Sequence, residues 1–251
     1  MSDEDTRGAN EAKPDYEPPK GAETTGTWGR GRKAIGYTAS GKWIVLRKRE
    51  KPAAEIFSVS YVADGGDERR PVTFVFNGGP GASSAYLHMG AVGPKRVAFP
   101  PDGTLPTMPP RLVENEASWL PFTDLVFVDP VGTGFSRVVE QETRGKEKEQ
   151  ARTGGEEEVK DRVDPKEYFG YKRDLESLCE LMSRWLSEHG RWGSPIFIAG
   201  ESYGGYRVGR LTRVLQETAG IGLNGAILIS PALEITPLGP TDYDVLGWID
   251  R

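Results

Sequence analysis

Three short apolar runs, each ending in a glycine-rich turn, organise this chain. Residues 71–76 (PVTFVF) pass into Asn77-Gly78-Gly79-Pro80-Gly81. Residues 124–130 (DLVFVDP) pass into Val131-Gly132-Thr133-Gly134. Residues 195–199 (PIFIA) pass into Gly200-Glu201-Ser202-Tyr203-Gly204. Short apolar runs bounded by turn signals predict buried strands. Beyond the third run, Val208, Leu211, Thr212 and Leu215 recur at helical spacing. A second helix is predicted by the stripe Leu175, Leu178, Cys179, Met182, Trp185 and Leu186. Its start is read at Asp164 as cap, Pro165 in the first position and Glu167 at capping-box spacing, and Gly190 ends it. Residues 42–47 and 55–63 read as a hairpin, the second strand alternating Ile56, Ser58, Ser60 and Val62 against Phe57, Val59, Tyr61 and Ala63. Residues 225–230 read as one more strand.

Four stretches predict no element. Residues 1–27 are rich in Asp, Glu, Pro, Gly and Thr and carry almost no large apolar side chain, so disorder is expected there. Residues 98–121, with six prolines, predict a long irregular loop. Residues 140–163 are dominated by Glu, Lys and Arg and predict an exposed insertion within a single domain over 28–251. Residues 237–251 have no strong pattern.

The chemistry concentrates at Ser202. A strand, a tight turn carrying Gly-x-Ser-x-Gly and a helix are the context of a nucleophile elbow, in which the turn lifts the serine hydroxyl above a sheet. The glycine-rich turn at 77–81 directly follows a strand, where backbone N–H groups can face a ligand and stabilise a developing oxyanion. The two histidines, His88 and His189, both precede Ser202. Hydrolases of this kind place an acid and then a histidine after the serine. The 251 residues therefore show a nucleophile without its base.

At this point the chain resembles a known family. The blocks NGGPGASS (77–84), DPVGTGFSR (129–137) and GESYGG (200–205) are similar, in order and spacing, to the hallmark blocks of serine carboxypeptidases, peptidase family S10. A weaker match runs from about Tyr37 to Leu233, and the context LHMGAVGP (87–94) most resembles the bacterial branch. The resemblance implies an α/β-hydrolase fold: a three-layer sandwich with a mostly parallel central sheet, its C-terminal strands missing here. It implies hydrolysis of C-terminal residues from peptides through an acyl-enzyme on Ser202. By the same resemblance, the N–H groups of Gly79 and Tyr203 form the oxyanion hole, and Asn77 and Glu201 bind the substrate's terminal carboxylate. Family members often carry a glutamate that shares a proton with the Glu201 equivalent; here that position is Ala91. The family's catalytic Asp and His lie further downstream than residue 251, so the resemblance covers the family's N-terminal part and the chain is expected to be inactive alone. Other readings stay open: one chain of a two-chain enzyme, a serine-carboxypeptidase-like acyltransferase, or a non-catalytic module that binds peptide ends.

The remaining candidates have ordinary readings beside functional ones. His88, one helical turn before Ala91, is read as a packed or surface histidine, with assistance to carboxylate binding as the alternative. His189 is read at a helix C-terminus. Cys179 falls in an apolar stripe and reads as core. Arg207, Arg210 and Arg213 read as a solvated basic line, with a substrate role for Arg207 as the alternative. No Cys/His cluster has metal-ligand spacing, and no cofactor is implied. A net charge of −5 leaves no nucleic-acid footprint. One cysteine excludes an intramolecular disulfide. No apolar run reaches the roughly 20 residues of a membrane span. The acidic start lacks an apolar signal region, so a cytoplasmic protein is expected, or a secreted or periplasmic one if the start is misplaced. The expected partners are a peptide C-terminus and either a complementing C-terminal chain or a second copy at an open sheet edge.

Overall fold

A computed structural model describes residues 16–48, 50–106, 108–139 and 165–233. The charged stretch 140–163, most of the acidic start and the segment 237–251 lie outside the described residues, as does Asp164. Among the described residues the main sheet has eight strands: β1 (Ala22–Trp28), β2 (Ile35–Lys48), β3 (Lys51–Ala63), β4 (Val72–Phe76), β7 (Asp124–Asp129), β8 (Arg137–Val138), β9 (Ile196–Glu201) and β10 (Gly225–Ile229). Their order is β1-β2-β3-β7-β4-β9-β10, with β8 beside β3. The pairings β7–β4, β4–β9 and β9–β10 are parallel. Those from β1 through β3 to β7 are antiparallel. Because β4, β7 and β9 run the same way, the three glycine-rich turns emerge along one edge of the sheet.

The three apolar runs are the buried strands the pattern predicts. Every residue of β4 and β7 is buried, which requires cover on both faces. Phe74, Phe76, Val126, Val128, Ile196 and Ile198 point to one face, where α2 (Tyr171–Glu188) and α3 (Tyr203–Thr218) pack. Val75, Leu125, Phe127 and Ala199 point to the other. That second face is closed by Leu87 of the short α1 (Ala85–Leu87), by Val92 of the π-helical turn His88–Val92 that follows it, and by Leu120. The result is a three-layer α/β arrangement. The predicted α2 stripe is buried throughout, and Gly190 stands just past the helix with φ +63°, the left-handed conformation that glycine accepts without a steric cost.

Three expectations are corrected. Disorder over 1–27 fails at residues 22–27, which belong to β1. This strand buries almost nothing, so its composition gave no apolar signal; it exists through a seven-residue ladder with β2. The loop 98–121 contains β6 (Leu112–Glu114), which pairs with β5 (Lys95–Val97) as a two-stranded ribbon. The long helix begins later than its capping signal. Residues Pro165–Phe169 form a 3₁₀ turn, and α2 starts at Tyr171 behind Gly170, with no side-chain cap.

The opposite edge of the sheet, where the parallel strands begin, is held by charge. Asp124 is fully buried at the start of β7. It accepts from Arg70 Nε (2.7 Å), from Arg191 Nη1 and from the backbone N–H of Ala63 (3.0 Å). Arg191 also donates to Ser194 Oγ (2.7 Å) just before β9 and to the Arg70 carbonyl just before β4. One carboxylate thus sets the relative height of three strands. Removing it leaves buried guanidinium groups without an anion, which typically costs about 3–5 kcal/mol. Asp124→Ala should lower the urea midpoint by an amount of that order, whereas Asp67→Ala, which breaks the exposed Asp67–Arg69 pair, should leave it unchanged. Equilibrium unfolding followed by tryptophan fluorescence tests both.

Candidate active site

β9 ends at Glu201 and α3 begins at Tyr203, so one residue makes the whole change of direction. That residue, Ser202, sits at φ +55°, ψ −120°. A non-glycine residue in such a conformation carries strain of order 1–3 kcal/mol and persists where its surroundings over-determine it. The surroundings are visible. Ser202 N–H donates to the Ile229 carbonyl at the end of β10 (3.0 Å). The Ser202 carbonyl accepts from Gly205 N (2.9 Å) and Ala232 N (3.0 Å). A β-carbon on Gly204 would stand 2.4 Å from the Phe76 carbonyl oxygen, so the first turn of α3 can lie against the end of β4 only with glycine there.

The loop after β4 meets this elbow backbone to backbone. A β-carbon on Gly78 would fall 2.7 Å from the Glu201 carbonyl oxygen, 2.8 Å from Ser202 Cβ and 2.8 Å from Tyr203 N. The loop carrying Gly79 therefore lies directly against the turn carrying Ser202 and Tyr203. Its shape comes from glycines at φ +107° (Gly79) and φ +105° (Gly81). Ser84 anchors its far end, donating through Oγ to the Val128 carbonyl and through its backbone N–H to Asp129 Oδ1 (2.8 Å). Asp129 is buried and also accepts from Phe135 N (3.2 Å), so the turn after β7 is fastened to the same point. Burial raises the Asp129 carboxyl above its usual range, against the two N–H groups that favour its charge.

Asn77 and Glu201, from neighbouring strand ends, come together: Asn77 Nδ2 donates to Glu201 Oε2 at 3.3 Å. Asn77 is held elsewhere as well. Its Oδ1 accepts from Leu87 N (2.9 Å) and its carbonyl from Arg207 Nη1 (3.2 Å). Ala91 contributes no carboxylate; its carbonyl accepts from Asn115 Nδ2 (2.6 Å). Five sequence-predicted positions, Asn77, Gly79, Glu201, Ser202 and Tyr203, thus share one corner of the sheet.

The other candidates resolve differently. Arg207 is not part of a solvated line: it is 5% exposed, and its Nε donates to Asp174 Oδ2 of α2 at 2.7 Å. Helix α3 turns this side chain inward, while Arg210 and Arg213 stay exposed. Asp174 has no sequence signal linking it to the site, since it lies 33 residues away on another helix. Burial raises its carboxyl, and Arg207 opposes that rise. His88 is packed: its ring stacks on Phe127 (4.5 Å between centroids) and its Nε2 shares a 2.7 Å hydrogen bond with Tyr61 Oη. Burial lowers its pKa to about 4. His189 caps the C-terminus of α2, stacked on Trp185 with Nδ1 bonded to the Trp185 carbonyl (2.9 Å). His189 lies with Ser40, Lys42, Trp43, Ser58 and Ser60 of β2 and β3 around one cavity, which Ser202 does not line. Neither histidine is placed as a base for the serine. Cys179 is core, and burial pushes its thiol up to about 12. Among the described residues no cluster of His, Cys, Asp or Glu could hold a metal ion, and no helix is long and apolar enough to cross a membrane.

A parallel-centred sheet between helical layers, with a strained serine between strand and helix, defines an α/β hydrolase. The serine carboxypeptidase family model matches residues 38–235, and the chain belongs to that family. It is 27% identical over 186 residues to the pheromone-processing carboxypeptidase KEX1 of Puccinia graminis f. sp. tritici, covering 72% of this chain and 21% of that protein. It is 29% identical over 168 residues to serine carboxypeptidase-like 36 of Arabidopsis thaliana, covering 65% and 28%. Among solved structures, the prohormone-processing carboxypeptidase Kex1(delta)p of Saccharomyces cerevisiae superposes with a TM-score of 0.55 at 20% identity, over 85% of this chain and 46% of that one. That likeness speaks for the fold. The chain spans less than half the length of each of these relatives.

Two outcomes are expected from this geometry. Gly78→Ala forces backbone apart at the elbow and should lower stability by about 2 kcal/mol or more, while shifting the amide resonances of Ser202 and Tyr203. For His88, the folded-state pKa lies below the free value, so the unfolded chain takes up the extra proton. Its stabilising effect is complete above about pH 6.5 and is lost as pH falls toward 4. His88→Gln should remove a loss of about 2 kcal/mol across that window. Urea unfolding at pH 7 and pH 4.5 measures it.

Proposed function

We propose that this chain carries the nucleophile half of a serine carboxypeptidase site. The observation that supports it most is the convergence at one corner: the strained Ser202, the glycine loop pressed against Tyr203 N, and the Asn77–Glu201 pair at 3.3 Å. In this reading Asn77 and Glu201 bind the terminal carboxylate of a peptide and so place its last peptide bond at Ser202. Ser202 Oγ attacks the carbonyl carbon, and the oxygen takes up negative charge facing the N–H groups of Gly79 and Tyr203. The C–N bond breaks, the serine proton passes through a base to the departing amino group, and an ester remains on Ser202. Water then hydrolyses that ester.

The base and its orienting acid come from outside the 251 residues in this reading, because His88 is packed against Tyr61 and His189 is bonded back to its own helix. The open edge supports a place for them. Among the described residues β10 pairs with β9 on one side only, and Leu228 and Leu233 are exposed beside it. A further polypeptide adding strands there, in the same chain or a complementing one, would bring its loops to the edge that carries Ser202.

The test is release of the C-terminal residue from a blocked dipeptide such as N-acyl-Phe-Leu between pH 4 and 8. The chain alone should show little, since loss of a triad member costs several orders of magnitude and leaves a residual of about 10³–10⁴ over water. Co-expression with the C-terminal half of a relative should restore turnover and strong fluorophosphonate labelling of Ser202. Robust Ser202-dependent turnover by the isolated chain would mean that it holds its own base. Labelling that survives Ser202→Ala would place the nucleophile elsewhere.

A further inference from the structure

We infer that Arg207 is a positioning residue that clamps the two halves of the oxyanion hole in register. The inference rests on the reading that the hole is built by Gly79 and Tyr203. Those two N–H groups belong to different elements, the loop after β4 and the first turn of α3. Oxyanion donors stabilise charge only if they are held to within about half an ångström of the required place. Something must fix the loop relative to the helix, and the guanidinium of Arg207 touches both. Nη1 donates to the carbonyl of Asn77, the last residue before Gly78 and Gly79, at 3.2 Å. The guanidinium carbon lies 4.9 Å from the centroid of the Tyr203 ring, over its face. Nε is taken by Asp174 of α2 at 2.7 Å.

The Asn77 carbonyl makes this contact specific. β4 ends at Phe76, whose partner is Gly200, so Asn77 lies beyond the ladder. Its carbonyl is buried, and the arginine satisfies it. A residue that only filled space between α2 and α3 would not need a charge here, since apolar residues of similar volume replace buried ion pairs without loss of stability. Arg207 is a buried cation with its own buried anion, and it spends its planar geometry on two tasks at once. It donates to Asn77 and Asp174, and its guanidinium carbon lies over the Tyr203 ring. Lysine has no such plane.

Nuclear magnetic resonance on the full chain tests the clamp without requiring turnover. In the wild type, the Arg207 Nη groups should give separate, slowly exchanging ¹⁵N signals, because rotation about the guanidinium bonds must break the bond to Asn77. A single averaged signal overturns the proposal and needs no variant that folds. In Arg207→Met, backbone order parameters at Gly78, Gly79 and Tyr203 should drop from about 0.85 to below about 0.7, with Phe74 and Ile198 unchanged. Arg207→Lys should not restore them. Unaltered order at the loop in Arg207→Met, or full rescue by lysine, also overturns it. In a complemented enzyme, Arg207→Met should reduce kcat at least ten-fold and change KM less than two-fold, the split expected when a transition-state contact alone is disturbed. Absence of turnover in every complemented protein would count against the carboxypeptidase reading and leave the resonance result to decide the clamp.

Discussion

The structure depends on one contact between two backbones. β4 and β9 are neighbours in a parallel sheet, and each ends in a turn that would collide with the other if either carried an ordinary side chain. Gly78 meets Glu201, Ser202 and Tyr203 at distances that exclude a β-carbon, and Gly204 meets the end of β4 in the same way. Parallel pairing fixes the two strand ends at the same height, with Phe76 opposite Gly200. The glycines then allow the turns to close on each other rather than splay. A serine forced into a positive-φ conformation is the consequence at the centre, and the order imposed around it is what holds the strain.

Two buried charge clusters bracket this contact along the sheet. Asp124 with Arg70 and Arg191 ties together the beginnings of β4, β7 and β9. Asp174 with Arg207 does the corresponding work at the ends, where it joins both helices to the Asn77 carbonyl. Such groups add less stability than apolar packing of the same volume would, but they are directional. An apolar core, which fills both faces of β4 and β7, permits small slides between strands. A carboxylate shared by two guanidinium groups does not. The site needs register more than it needs additional stability, and the polar clusters stand where register is decided.

The parts of this arrangement that were legible in the sequence are those with a local signal. Buried strands read as apolar runs, the elbow reads as glycine–serine–glycine between strand and helix, and the α2 stripe from Leu175 to Leu186 reads by its period. What was illegible has its cause elsewhere in the chain. β1 is polar and exposed, and only the ladder to β2 makes it a strand. β6 lies among prolines and is three residues long. Arg207 sits one residue from a face that would have left it in water, and its inward direction depends on Asp174, 33 residues away on another helix. The family resemblance located Asn77 and Glu201 as a pair. Composition or spacing alone gives no reason for residues 124 apart to meet.

The histidines show why geometry has to follow motif. A serine hydroxyl at an elbow is a weak nucleophile until a base stands within hydrogen-bond reach of it, on the open side of the strand ends. His88 faces the sheet beneath the loop, held neutral by burial between Phe127 and Tyr61. His189 is spent on the end of α2, bonded back to its own helix. Both are satisfied structural residues. The elbow, by contrast, is complete without them: Ile229 and Ala232 hold Ser202 from the β10 side, and Gly78 holds it from the β4 side. The described residues therefore fix the elbow from both neighbouring strands, and its last backbone anchor is the Ile229 carbonyl at the end of β10.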